Sequence, residues 1–102
     1  MLYCLDAASG TLLWNYTTVH SIGLSSPAIA DGRVYVGCDD NKLYCLDAIS
    51  GAFQWTFTTG GTIDSSPAIA SGHVYVGSED NRLYCLNATS RNRLWARLFR
   101  EL

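Results

Sequence analysis

The string Leu-Tyr-Cys-Leu-(Asp/Asn)-Ala occurs three times, at Leu2–Ala7, Leu43–Ala48 and Leu83–Ala88. Cys4 to Cys45 is 41 residues and Cys45 to Cys85 is 40, and Trp14, Trp55 and Trp95 keep the same steps. Ser-Ser-Pro-Ala-Ile-Ala at Ser25–Ala30 returns at Ser65–Ala70, and Val-Tyr-Val-Gly at Val34–Gly37 returns at Val74–Gly77, both after 40 residues. The one-residue difference falls between Ile22 and Ser25. A period of this length, held by several independent markers, leaves few folds open. Each repeat must be one supersecondary unit that buries its apolar face on the next.

Each period reads as four short strands. Ser-Pro-Ala-Ile-Ala opens the first, with proline tolerated at a strand's start or edge. Asp31-Gly32 and Ser71-Gly72 are two-residue turn signals. Arg33–Gly37 follows, rich in β-branched and aromatic residues. Asp39-Asp40-Asn41, or Glu79-Asp80-Asn81, makes the next turn, because Asn and Asp tolerate positive φ. Leu43–Leu46 is the third strand, and the turn Ala48–Gly51 leads to the fourth, Phe53–Phe57. A two-residue hairpin centred on Asp40-Asn41 would set Cys38 opposite Leu43 and Val36 opposite Cys45.

The strands are apolar at successive positions, as in sheets buried on both faces. Four antiparallel strands per ~40 residues, stacked on like neighbours, is the blade of a β-propeller. The expected fold class is therefore all-β, a propeller fragment of about two and a half four-stranded antiparallel blades with ten strands. The expected division is a half-blade of two final strands over 1–18, a blade over 19–59, and a blade over 60–102 with a degraded last strand. Helix is expected nowhere except a final turn at Leu98–Leu102.

Composition narrows the function. Charged residues make up only 16% and the net charge is -2, against the basic face that nucleic acid requires. Arg91, Arg93, Arg97 and Arg100 crowd the end of the chain and read as a solvated last strand. No stretch approaches the ~18 apolar residues of a membrane span. The N-terminus opens into a strand motif without a charged region or cleavage site, so no secretory signal is read there. Met1 looks like a start inside a repeat array, of a fragment or a truncated product. No compartment is assigned, although four thiols mildly favour a reducing one.

The segment from Leu5 to Trp14 resembles the tryptophan-docking repeat of pyrroloquinoline-quinone (PQQ) propellers. Its pattern is an Asp, a Ser or Thr before Gly, and a Trp four residues after the Gly. It recurs from Asp47 to Trp55; the copy from Asn87 to Trp95 keeps the Trp but has Asn for Asp and Arg91 for Gly. The resemblance spans essentially the whole chain and implies a ring of usually seven or eight blades. Ser-Gly provides the tight turn, and the indole a flat surface to bury on the next blade. Without Gly, the third copy's turn and last strand are expected to be weak.

Repeat type does not give function. The resemblance implies three groups: dehydrogenases that bind PQQ and calcium, assembly lipoproteins resembling BamB that bind protein, and arrays in surface or sensor proteins. In the dehydrogenases the cofactor lies at the ring axis beside a disulfide of adjacent cysteines, with acidic and amide calcium ligands and a catalytic aspartate. Here no two cysteines are adjacent, and such a site draws on blades all round a ring.

The remaining candidates have bland readings. Cys4, Cys45 and Cys85 share one repeat position, and equivalent positions in stacked sheets lie ~10 Å apart, too far for a disulfide. With Cys38, replaced by Ser78 in the next repeat, they read as buried reduced thiols; paired short spacings for zinc are missing. His20 falls in a loop and His73 at a strand start, neither with a ligand-like partner. The two acidic turns lack the alternating oxygens and central Gly of a calcium loop. Asn15-Tyr16-Thr17 and Asn87-Ala88-Thr89 fit the glycosylation pattern, which matters only for a secreted eukaryotic chain. Gly60-Gly61 reads as a connecting turn.

No residue is therefore assigned a catalytic, cofactor-binding or metal-binding role, and no cofactor is expected. The leading expectation is a non-catalytic scaffold that binds protein. The alternative is a piece of a PQQ-dependent dehydrogenase whose cofactor site lies in other blades, and a third possibility is an inert truncated product. An open arc exposes blade faces and strand edges. The expected partners are accordingly a protein, further blades of a longer chain, or copies of itself closing a ring, for example four chains giving about eight blades.

Overall fold

The computed structural model describes residues 1–18, 22, 25–90 and 92–98. Ten strands follow in order: β1 (Leu2–Leu5), β2 (Leu12–Tyr16), β3 (Ala28–Ala30), β4 (Arg33–Gly37), β5 (Lys42–Asp47), β6 (Phe53–Thr58), β7 (Ala68–Ala70), β8 (His73–Ser78), β9 (Arg82–Asn87) and β10 (Arg93–Leu98). They form a two-stranded sheet, β1-β2, and two four-stranded sheets, β3-β4-β5-β6 and β7-β8-β9-β10. All pairings are antiparallel. The sheets are blades stacked in a row, 48 Å long against 26 and 21 Å across. Among the described strands, the pair from different blades whose backbones approach closely is β3 and β7, the short first strands, which marks the inner edge of the arc. The final helical turn expected at Leu98–Leu102 falls largely outside the described residues; Leu98 itself ends β10.

Turn chemistry sets each hairpin. Asp31 and Gly32 take φ of 51° and 76°, and Ser71 and Gly72 repeat this at 51° and 76°. Two successive positive φ values define the tight turn whose twist matches its strands. The next hairpin corrects the expected register. Tyr35, not Val36, lies opposite Cys45, Gly37 lies opposite Leu43, and the Cys38 amide bonds the Lys42 carbonyl. The loop has three residues, Asp39-Asp40-Asn41, because Asn41 adds a left-handed residue at φ 70° after the turn. Asn81 does the same at 66°.

The fourth-strand turns are held by side chains. Asp47 Oδ1 accepts the Ile49 and Ser50 amides, both at 2.9 Å, and Asp6 Oδ1 accepts those of Ala8 and Ser9 at the same distance. Asn87 Oδ1 makes the same two bonds to Thr89 and Ser90. The last strand, expected to be weak, is present in this copy as β10. Asn replaces the carboxylate without losing the acceptor, and β10 pairs with β9 from Arg93 to Leu98 with one irregularity after Arg93.

Alternate residues of the middle strands bury on opposite faces. Val34, Val36, Tyr44 and Leu46 pack toward the half-blade with Leu2 and Cys38. Tyr35, Leu43 and Cys45 pack the other way, against Ile63, Val74, Val76, Tyr84 and Leu86 of the next blade. The apolar runs in the sequence are thus the two-sided burial of a blade between neighbours.

Packing predicts unequal tryptophans. Trp55 is 7% exposed and Trp95 43%. Trp55→Ala should destabilise the chain by about 3–5 kcal/mol, the range for emptying a buried large site. Trp95→Ala should lower stability by well under half of that, and urea unfolding of both variants would check the order. A second expectation concerns acid. The amides of Ser9 and Ser50 lead those holding Asp6 and Asp47 below the ordinary aspartate value of 3.8. A folded-state value below the unfolded one stabilises above that value and is lost as pH falls through the folded value. Thermal unfolding followed between pH 5 and pH 2 should therefore show falling stability.

Candidate functional site

The chemistry of this chain is concentrated where one blade meets the next. The Trp14 indole, carried by β2, donates Nε1–H to the Ala48 carbonyl at 3.0 Å. Its ring lies over Gly51, where an added Cβ would sit 2.6 Å from two ring carbons. Gly51 has φ +76°, so it is required both by the turn and by the indole's close approach. Trp55 repeats the contact on the next blade, donating to the Ala88 carbonyl at 3.2 Å. Arg33 Nη1–H reaches the same carbonyl at 3.0 Å. Arg91, which replaces the glycine in that copy, lies outside the described residues.

Each receiving turn is pinned to its own blade. The Ala48 and Ala88 amides donate to the Gly32 and Gly72 carbonyls, both at 2.9 Å. The turn between the first two strands therefore orients the carbonyl that the neighbouring indole reads. Sequence reasoning identified the tryptophans and the glycine but missed Arg33 as a blade-bridging residue. Its only sequence signal was its alignment with His73, which instead lies edge-on to Tyr75 with ring centroids 6.3 Å apart.

A second contact joins the full blades at the loop after β6. The Gly60 amide donates to Asp80 Oδ2 at 3.1 Å, and the Glu79 amide donates to the Thr62 carbonyl at 2.9 Å. A Cβ at Gly60 would lie 2.8 Å from Asp80 Oδ2, and one at Gly61 2.7 Å from the Asp80 amide nitrogen. The glycine pair is needed because the next blade's hairpin passes this close. Asp80 also accepts the Tyr84 hydroxyl and the Arg82 amide. Burial raises its carboxyl, but the Tyr84 and backbone bonds outweigh this and hold it low. Asp40 takes the Tyr44 hydroxyl in the same way. The acidic turns are hairpin braces.

The other singled-out residues are placed as follows. None of the four cysteines forms a disulfide. Burial pushes the Cys45 thiol up to about 11, so it stays protonated and unreactive at neutral pH. Cys4 is half-exposed. Asn15 is exposed on β2, and Asn87 is committed to its turn. Arg93 and Arg97 are exposed on β10, while His20, Arg91 and Arg100 lie outside the described residues. A hydrogen bond from Asp64 to Glu79, with their like charge, raises the Asp64 carboxyl. Among the described residues no three His, Cys, Asp or Glu side chains converge on a metal position.

Two measurements follow from this geometry. Gly51→Ala should destabilise more than Gly10→Ala, although both glycines have positive φ. Each suffers a left-handed backbone penalty of about 1–2 kcal/mol. Only Gly51→Ala also drives a methyl into Trp14, worth roughly 1–3 kcal/mol of overpacking. Denaturant midpoints should rank them so. Alkylation at pH 7.5 followed by peptide mapping should label Cys4 well before Cys45.

Solved structures superpose on this chain. BamB from Moraxella catarrhalis superposes with a TM-score of 0.78 at 29% identity, over 92% of this chain and 30% of its own. A quinohemoprotein alcohol dehydrogenase, ADHIIG from Pseudomonas putida HK5, gives 0.79 at 25% over 92% of this chain and 17% of its own. A europium-containing methanol dehydrogenase gives 0.78 at 21% over 92% and 20%, a likeness of fold alone. The chain thus spans less than a third of each of these proteins. Among the described residues no helix is long and apolar enough to cross a membrane. Comparison with curated proteins found no significant match. The sequence profile described as outer membrane protein assembly factor BamB matches residues 1–101, and with its three tryptophan-docking copies the chain belongs to that family of PQQ-like β-propeller repeats.

Proposed function

We propose that this chain is a non-catalytic propeller arc that works as a scaffold, binding protein through its blade faces. One observation carries the reading: the docking contact is made twice within the chain and stands half-made at each end. Trp95 is 43% exposed, against 7% for the docked Trp55. At the other end nothing lies within 4 Å of a Cβ built on Gly10, where Gly51 carries an indole. An exposed indole with its N–H donor and an open glycine turn with its Ala7 carbonyl are complementary halves of one contact. Exposed apolar faces of this kind mark protein interaction. The family description as an assembly factor is in keeping with such work.

A second reading, a piece of a PQQ-dependent dehydrogenase, draws on the likeness to the quinohemoprotein enzyme. A pair of adjacent cysteines in a longer parent sequence would support it.

The half-blade takes a stacking position of its own, so each copy provides three sheets. Two copies then supply about six blades, within the usual range of four to eight, and replace the four-chain ring suggested by counting whole blades. Light scattering on a sizing column should give about twice 11.2 kDa. Trp95→Ala should bring the mass down to one chain. A cooperatively folded wild-type monomer would overturn the proposal.

A further inference from the structure

We propose that the outer edge of β6 is a self-recognition site, at which a second copy of this chain adds its own β6 as an antiparallel neighbour. Such a contact is separate from the Trp95 docking described above.

β6 closes a complete four-stranded sheet, and among the described residues no strand lies on its far side. The phase of the ladder decides which groups that side offers. The Thr59 amide bonds the Asn41 carbonyl, and pairing continues Lys42 to Thr58, Leu43 to Phe57, Tyr44 to Thr56 and Cys45 to Trp55. Bonded and non-bonded pairs alternate in an antiparallel ladder, so Phe57 and Trp55 bond inward to β5. Thr56 and Thr58 turn their N–H and C=O groups outward.

Other edges of this chain are blunted. β3 and β7 have three residues each and directly follow Pro27 and Pro67. β10 carries Arg93 and Arg97, both exposed. Short length, proline and charge are what keep strand edges from pairing. β6 has six residues, Phe-Gln-Trp-Thr-Phe-Thr, with no charge and no proline. β2 is uncharged as well, but it borders a sheet of two strands, a marginal platform for a third. The flank of β6 is apolar too. Ile49 is 87% exposed and Phe53 52%, at repeat positions that hold Thr89 and Arg93 in the last blade.

Charge favours β6 of a second copy as the occupant. A symmetric contact sets one strand against itself, so any charge on it meets its like. A two-fold axis through Phe57 places Thr56 opposite Thr58 of the second copy, and Thr58 opposite its Thr56. Their outward groups then form two reciprocal pairs of N–H···O bonds, and facing threonines are a favourable cross-strand match. This register leaves out Gln54, where the pairing with β5 shifts. The same axis in β10 would pass through Arg97, the repeat equivalent of Phe57, and oppose two guanidinium groups.

A few backbone bonds with little side-chain burial make a weak contact, with a Kd on the order of 0.1–1 mM. Sedimentation equilibrium of the intact chain from about 0.01 to about 2 mM should show the apparent mass rising by about half or more. Thr56→Pro removes an outward N–H but no bond to β5 and should abolish the rise, whereas Thr56→Ala should keep it. In Trp95→Ala the dilute chain should be single and the same rise should remain, which separates this contact from the Trp95 docking. Hydrogen exchange of the wild-type chain gives a second readout: the Thr56 and Thr58 amides should slow about twofold or more at the concentrated end. A mass constant across the range would overturn the inference. So would a rise that Thr56→Pro retains, or one that leaves exchange at Thr56 and Thr58 unchanged.

Discussion

The contact on which the rest of the structure depends is the indole of one blade seated on the glycine turn of the next. A blade of four short strands exposes two apolar faces and cannot stand alone. Trp14 and Trp55 each join a large flat surface to a single directional bond, to Ala48 and Ala88. Burial supplies most of the energy. The N–H bond fixes how far one blade rotates and slides on the next, which burial alone leaves free. Register along the arc is thus set at each junction by an indole bond to a turn carbonyl, joined between the full blades by the bonds of Arg33 and of the Gly60 amide.

That junction works because the receiving turn is rigid. The Asp6, Asp47 and Asn87 side chains each hold two amides of their turns, and the Ala48 and Ala88 amides are tied back to Gly32 and Gly72. The polar residues of the repeat therefore serve backbone geometry. The acidic hairpins follow the same logic, with Asp40 and Asp80 each taking a tyrosine hydroxyl from the following strand. Asp80 goes further and receives the Gly60 amide of the preceding blade. A set of carboxylates that resembles ligand chemistry in sequence is spent on hairpins and junctions.

The arc's ends obey the same rule as its middle. Trp95, Ile29 and Tyr3 are exposed at 43%, 71% and 60%, each beside a position that a neighbouring blade or strand occupies elsewhere in the chain. The repeat thus acts as its own control, showing what an open face would accept.

The sequence by itself determined the repeat, the four strands of each blade, the turn positions and the docking tryptophans. These depend on local rules, namely the spacing of apolar residues and the φ demands of Asp-Gly, Ser-Gly and Asn. Tertiary structure alone decided the three-residue loop that sets Tyr35 opposite Cys45, since one left-handed Asn41 shifts a register that spacing leaves open. It also decided that β10 forms without its glycine, because Asn87 accepts the same amides as Asp47. Arg33 bridging to Ala88, and Gly60-Gly61 pressed against Asp80, were invisible for a common reason. Both are contacts between residues 19 or more positions apart, and their partners exist only once one blade is stacked upon another.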